Sequence, residues 1–399
     1  MKPWSKIQPA LVATGFAQGL VMGLTWATVA PFLKSLGFTG SMYGLYGGLN
    51  VLTLAVVTLA AGPLSDRLGG KLVGFIGAVI VGFGFMVLSM GSVCCAYAAA
   101  LINGVGGGLL FTSTTVLVSR SGSDELMHYR FSYFAASQTL GGGFGSFLGW
   151  LPVYASRYTG LIEAYSYTLA GAGILSVIAS PLILLVQEEY TKLTGGRILS
   201  GYRGLGAFWW IVLINGLIGF AAAMSIHNID YYFTAKYHVN SGMLGSVFGL
   251  EQLLMAGLML WMPSLSDRVG GPLKLYLAVS LSSIPLLVLI TLTDNYLIAS
   301  SLFVTRSVLM NVANPLLTSF ALSLVSPEKR GVASGLMSLS WTLPGGFGRM
   351  VGGYLFDLDL ELPLRLTALL YTVSLVLLGE LFCRSRRIVG KNGSGVTAC

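Results

Sequence analysis

Charge is what this sequence has least of. Only 10% of its 399 residues are Asp, Glu, Lys or Arg, against 54% hydrophobic, and the mean hydropathy is +0.78. Soluble globular chains carry roughly a quarter charged residues, so this apolar excess needs lipid. Long polar loops are also missing, which excludes a soluble catalytic or binding domain. The four cysteines, Cys94, Cys95, Cys383 and Cys399, have neither the spacing of a disulfide framework nor that of a zinc site. No Gly-x-x-x-x-Gly-Lys-Ser/Thr segment is present to cradle a nucleotide phosphate. ATP-driven transport by this chain alone is therefore not expected, and neither is a cofactor or a metal. No clustered catalytic constellation appears, so the chain does not read as an enzyme.

What the sequence has is apolar stretches long enough to cross a ~30 Å hydrocarbon core as helices. They fall at 7–33, 41–64, 72–93, 95–119, 131–154, 164–187, 205–234, 241–264, 272–292, 296–324, 331–356 and 364–383. The first runs too long for a signal peptide and lacks a small-residue cleavage site, so it reads as a permanent helix. The net charge of +8 does not point to nucleic acid, because the basic residues sort by side. Arg67, Lys71, Arg120, Arg130, Lys192, Arg197, Arg203, Arg268 and Lys274 fall with both termini, and only Lys34, Arg157, Lys236 and Arg365 lie opposite. This positive-inside bias predicts cytoplasmic termini in a multi-pass plasma-membrane protein.

The chain also repeats itself. Gly62-Pro-Leu-Ser-Asp66-Arg67-Leu-Gly69-Gly70 matches Met262-Pro-Ser-Leu-Ser-Asp267-Arg268-Val-Gly270-Gly271, and Thr139-Leu-Gly-Gly-Gly-Phe-Gly145 matches Thr342-Leu-Pro-Gly-Gly-Phe-Gly348. Two ordered blocks at nearly one offset indicate a duplicated six-helix unit, and an even number of spans makes the copies parallel. The expected organisation is a first half at 1–187, a cytoplasmic linker at 188–204, a second half at 205–387 and a tail at 388–399.

Residues 62–71 resemble the signature loop between helices 2 and 3 of the major facilitator superfamily, and 263–274 resemble its weaker copy between helices 8 and 9. Asn103-Gly104-Val-Gly106 is similar to the family's helix-4 motif, with Ala100 where an arginine is usual. The resemblance implies an all-α integral membrane protein of twelve transmembrane helices in two parallel six-helix pseudo-repeats. It also implies a secondary transporter whose halves rock about a central site. Gly62, Asp66, Arg67, Asp267 and Arg268 are assigned to a cytoplasmic latch that favours the outward-facing state, with Asp66 able to cap a neighbouring helix. The glycines of spans five and eleven read as close-packing surfaces, and their loose similarity to an antiporter motif leaves transport direction open.

Polar groups deep in a membrane are costly and usually face a cavity or a partner. The first half offers Gln18, Trp26, Asn50, Asn103 and Gln138, and the second His227, Asp230, Glu251, Arg306 and Arg349. Glu251 and Arg306 each lie about ten residues from the external ends of their helices, roughly 15 Å deep, where they are placed to pair. His227 and Asp230, at i and i+3, share a helix face. Arg349 is within reach of Asp357 or the interface. Two roles stay open: Glu251 carries a transported proton, or Arg306 binds an anionic solute. The expectation is a monomer that moves a small organic solute, with proton-coupled export first, organic-anion uptake or exchange through Arg306 as alternative, and a membrane receptor or enzyme as the remote one.

Overall fold

The computed structural model describes residues 8–122, 127–188, 208–259, 272–312 and 330–390, together with 314, 317, 321 and 325. The latch residues Asp267 and Arg268, the linker after Glu188 and the end of the tail lie outside the described residues. The described residues are helical, without a strand. In chain order they form α1 (Pro9–Ser35), α2 (Gly40–Leu68), α3 (Gly70–Leu88), α4 (Val93–Arg120), α5 (Met127–Phe147), α6 (Trp150–Ala155), α7 (Leu161–Ala179) and α8 (Pro181–Leu184). The series continues with α9 (Phe208–Ser225), a 3₁₀ turn (Ile226–Asn228), α10 (Ile229–Tyr237), α11 (Ser241–Met259), α12 (Pro272–Thr291), α13 (Tyr296–Val312), α14 (Arg330–Leu358) and α15 (Leu362–Gly390).

In lipid every backbone polar group must be satisfied within the protein, so the chain can change direction only at capped turns. Thr39 caps α2 by accepting from the Met42 amide at 3.4 Å, and Ser92 caps α4 by accepting from Cys95 at 3.1 Å. The α2–α3 turn passes through Gly69 at φ 87°, a conformation that strains any residue with a Cβ. The amides that begin α3, Gly70 and Lys71, donate to the Glu188 carboxylate at 3.1 and 3.4 Å. Glu188, and not Asp66, therefore caps that helix. Asp66 instead pairs with Arg120 at 2.6 Å, and Arg120 reaches Glu188 at 3.5 Å.

The two halves use the same packing. α5 lies on α1 as α14 lies on α9, and α3 contacts α7 as α12 contacts α15. Glycine makes the first pairing possible in both copies. A Cβ added to Gly145 would fall on the Leu20 backbone, and one added to Gly348 on that of Phe220.

Across the halves, α2 packs on α14 and α5 on α11. These contacts run from the side of the α1–α2 turn, here the far side, to mid-depth. Gly40 and Gly44 meet Gly353, and Gly48 meets Met350. Ser241 donates to the Gly149 carbonyl at 2.7 Å, and Trp150 Nε1 to Ser246 Oγ at 3.1 Å. The molecule is thus closed on the far side, opposite the terminal side where α1 begins.

Among the described residues, eight spans are long and apolar enough to cross a membrane: α1, α2, α3, α4, α7–α8, α9–α10, α12 and α15. Of the rest, α5, α11 and α14 supply the seams between halves. A helix shielded from lipid by its neighbours does not need a fully apolar surface.

Three expected spans are broken among the described residues, the sixth at Ser180 between α7 and α8. The fifth is interrupted between Phe147 and Trp150, where Gly149 approaches Ser241 and Ala27. The seventh breaks at the 3₁₀ turn, which Asn228 supports by donating from Nδ2 to the carbonyls of Ala223 and Arg349 at 3.3 and 3.2 Å.

Candidate functional site

A cavity of about 390 Å³ runs from mid-depth toward the terminal side. Toward the terminal side it is lined by Thr14, Thr114, Phe134 and Ser180, and at its blind end, toward the closed far side, by Trp26, Tyr43, Tyr46, Asp230 and Arg349. The first half supplies nearly all of the described wall. Trp26, Asn50, Asn103 and Gln138, chosen from the sequence, all line it. Trp26 is 46% exposed, so its ring is available to a solute. Asn50 is anchored by donating to the Ala100 carbonyl at 3.2 Å. Among the described residues, Gln18 Nε2, Thr14 Oγ1 and Arg349 Nε are buried without a hydrogen-bond partner, and all three residues line the cavity. A buried polar atom left unpaired costs about 1–3 kcal/mol, which a solute or water in the cavity would relieve.

The second half sends only Asp230 and Arg349 into the described lining. Asp230 Oδ2 accepts from the Tyr43 hydroxyl at 2.5 Å, and Oδ1 from the Tyr231 amide at 2.8 Å. The Tyr43 and Tyr231 rings stack at 5.3 Å. The hydrogen bond from α2 to α10 bridges the halves at the closed end of the cavity. One acid, one base and several rings there suit a solute with aromatic surface and a charged or polar head.

His227 and Asp230 do not belong to one continuous helix: the backbone bends at Asn228, φ −114° and ψ 17°, and of the two only Asp230 lines the cavity. The His227 ring lies 6.2 Å from that of Trp341, and His227 is not part of the cavity wall. Arg349 does not reach for Asp357. That carboxylate instead accepts from the Gly40 and Ser41 amides at 2.6 and 2.8 Å and from the Ser41 hydroxyl, capping α2 from the other half.

Glu251 and Arg306 are both buried, at 8% and 2% exposure, and neither lines the cavity. The expected pair is not formed. Glu251 Oε1 accepts from the Ser307 hydroxyl, whose oxygen accepts from Asn311 at 3.1 Å. The Arg306 guanidinium lies 5.3 Å from the centre of the Tyr371 ring, and its Nε and Nη2 have no partner among the described residues. The acid and the base are neighbours around α13, and each has taken a neutral partner.

Tyr43 and Tyr46 were not picked out from the sequence. The repeat holds the signal that finds them: they align with Leu244 and Val247, so polarity departs from the repeat where the first half meets the cavity.

The family model of the Major Facilitator Superfamily matches residues 11–349. The Quinolone resistance protein NorA of Staphylococcus aureus (strain MRSA252) is 24% identical over 375 residues, covering 86% of this chain and 88% of the relative. The Multidrug resistance protein MdtH of Salmonella paratyphi C is 23% identical over 383 residues, covering 89% of each. Among solved structures, a bacterial homologue of the human lysosomal transporter Spinster, inward-facing and unoccupied, superposes with a TM-score of 0.77 at 13% identity, covering 99% of this chain and 100% of that one. A point mutant of the nucleoside transporter NupG gives 0.73 at 15% identity, covering 94% and 99%. The fold and the family match agree, and the chain belongs to the Major Facilitator Superfamily: it is a multi-pass membrane transporter of small solutes, not an enzyme.

Proposed function

We propose that this transporter exports small amphipathic organic solutes in exchange for protons, by alternating access between two six-helix halves. The observation that carries the reading is the cavity's blind end, where Asp230 and Arg349 stand beside Trp26, Tyr43 and Tyr46. The names of the relatives, quinolone and multidrug resistance proteins, support export of such compounds. Asp230, rather than Glu251, is the carboxylate for the exchanged proton, since it meets the cavity while Glu251 is shut in against Ser307. An anionic solute would meet Arg349, because Arg306 lies outside the wall.

The terminal side is taken as cytoplasmic from the distribution of Lys and Arg, which makes the present state inward-facing. The eight apolar spans with α5–α6, α11, α13 and α14 make twelve crossings, divided at 1–187 and 205–387 by the linker 188–204, with the chain working as a monomer. Asp66 and Arg67, with the proposed partners Asp267 and Arg268, form the latch for the opposite state; here Asp66 is held by Arg120 within the first half.

The test is reconstitution into liposomes with an imposed pH gradient and a fluorescent planar organic cation as solute. Proton-driven flux is expected, with a loss of tenfold or more in Asp230→Asn and a smaller change in Glu251→Gln. Flux in Asp230→Asn equal to the parent would overturn the assignment. Arg349→Gln separates solute classes: transport of an aromatic carboxylate should fall and that of the cation should not.

A further inference from the structure

The first turns of α2 hold two acids of the other half. Asp357 caps the Gly40 and Ser41 amides, and one turn further in the Tyr43 hydroxyl donates to Asp230. The first contact is at the far face. The second forms the floor of the cavity. Any opening of the far side that separates α2 from α10 must break the Tyr43–Asp230 bond. Resting on the reading that Asp230 carries the exchanged proton, we propose that Tyr43 is a positioning residue that locks the empty transporter, preventing its halves from exchanging states until Asp230 is neutralised.

The physical chemistry is that of a charge-assisted hydrogen bond. An ionised carboxylate holds a phenol hydroxyl about twice as strongly as a neutral carboxylic acid does. A proton on Asp230, or a cationic solute group beside it, removes that advantage and frees Tyr43. The lock is therefore strong only when Asp230 is both ionised and unoccupied, which is the one loading state in which an exchanger must not change conformation. Exchange without leak follows from one hydrogen bond.

The other charged and titratable groups near Asp230 do not perform this task. Arg349 of α14 packs across the seam against Gly47 of α2, but it is a fixed cation that does not change charge with pH. Tyr46 of α2 lines the same blind end, where Asp230 Oδ2 accepts from Tyr43 instead. Lys34 of α1 contacts Tyr231, its Nζ 3.4 Å from the hydroxyl. His227 is turned to Trp341 and sits within electrostatic reach of Arg349 and Arg306. Asp357 is outside the membrane-spanning part, and burial, which would raise its carboxyl, is outweighed by the Ser41 and Gly40 donors that hold it below the ordinary range. It stays ionised between pH 5 and 8.

The experiment uses the full chain in liposomes, with an internal pH-sensitive dye and no solute, and reads proton leak. Tyr43→Phe is expected to raise the leak at least fivefold, and Asp230→Asn to abolish it. In parallel, spin labels at Thr159→Cys and Leu292→Cys, with the four natural cysteines replaced by serine, report the far-side distance. The parent should open as pH falls from 8 to 5, and Tyr43→Phe should flatten that curve, whereas a purely structural tyrosine would shift it equally at every pH. Tyr43→Gln, which restores a donor without the ring, should bring the leak back toward the parent. A parental leak and pH curve in Tyr43→Phe, with Asp230→Asn inactive, would overturn the lock and leave the reading beneath it standing. A Gln variant as leaky as the Phe variant would also overturn the lock. Parental proton flux in Asp230→Asn would overturn the reading itself.

Discussion

Tyr43 and Tyr46 and their counterparts in the repeat, Leu244 and Val247, are all buried in one apolar core, yet of the four only the two tyrosines also line the cavity. Asn50 lines it too, while its counterpart Glu251 is enclosed against Ser307. The same backbone arrangement has thus been used once to line a cavity with neutral hydrogen-bonding groups and once to bury charge. The comparison teaches that packing and polarity are separable in a duplicated fold. Glycines at α1–α5 and α9–α14 hold the halves to one architecture, and the side chains between them are free to diverge.

The largest effect should come from attacking the shared packing. Gly145→Val and Gly348→Val place a branched side chain on the facing backbone in each half, an overpacking worth about 3 kcal/mol or more. Both should lose most folded protein in a detergent thermal-shift assay, whereas Gly62→Val, with open space around it, should not. Damage from only one of the pair would break the claim that the halves are built alike. The next effect concerns the buried charges of the second half. Arg306→Gln and Glu251→Gln should each cost about 2 kcal/mol by leaving one buried charge without its neighbour's field. The double variant should cost less than the sum, and strict additivity would show that the two do not act on each other. On the cavity side, Gln138→Leu should raise KM for the solute about fivefold, the worth of roughly one hydrogen bond, with unchanged thermal stability. A stability loss there instead would make Gln138 part of the scaffold.

The smallest effect is at the far-side cap. Because donors lower the Asp357 carboxyl below its ordinary value, its contribution is complete above the ordinary carboxylate range, near pH 4, and is lost as pH falls through the depressed value. Asp357→Asn should remove this acid-sensitive part of far-side closure, about 0.5 kcal/mol for an anion at a helix N-terminus. Far-side distances measured from pH 5 down to pH 3 check it.

Much of this was legible in the sequence because lipid simplifies the code. Apolar length marks a span, and the paired Gly-rich blocks mark the repeat. The polar residues of the first half were legible for the same reason: Asn103 or Gln138 in a membrane needs a reason to be there. The second half was harder. Residue spacing placed His227 and Asp230 on one face, but spacing assumes a continuous helix, and Asn228 stabilises a break that no periodicity reveals. Depth placed Glu251 beside Arg306, yet depth says nothing about rotation, and the nearby Ser307 hydroxyl won the carboxylate. The cap on α3 went to Glu188, far along the chain from Asp66, because a carboxylate is chosen by reach and not by proximity in sequence.

The close fit of α5 to α1 has a consequence for biogenesis. A segment such as Met127–Phe147, carrying Arg130, Ser137 and Gln138, is a poor candidate for partitioning into lipid by itself. It becomes acceptable once α1 is there to receive its glycines and polar atoms. Three helices separate α1 from α5 in the chain, so α5 finds its glycine contacts on α1 only after α2, α3 and α4 have been made.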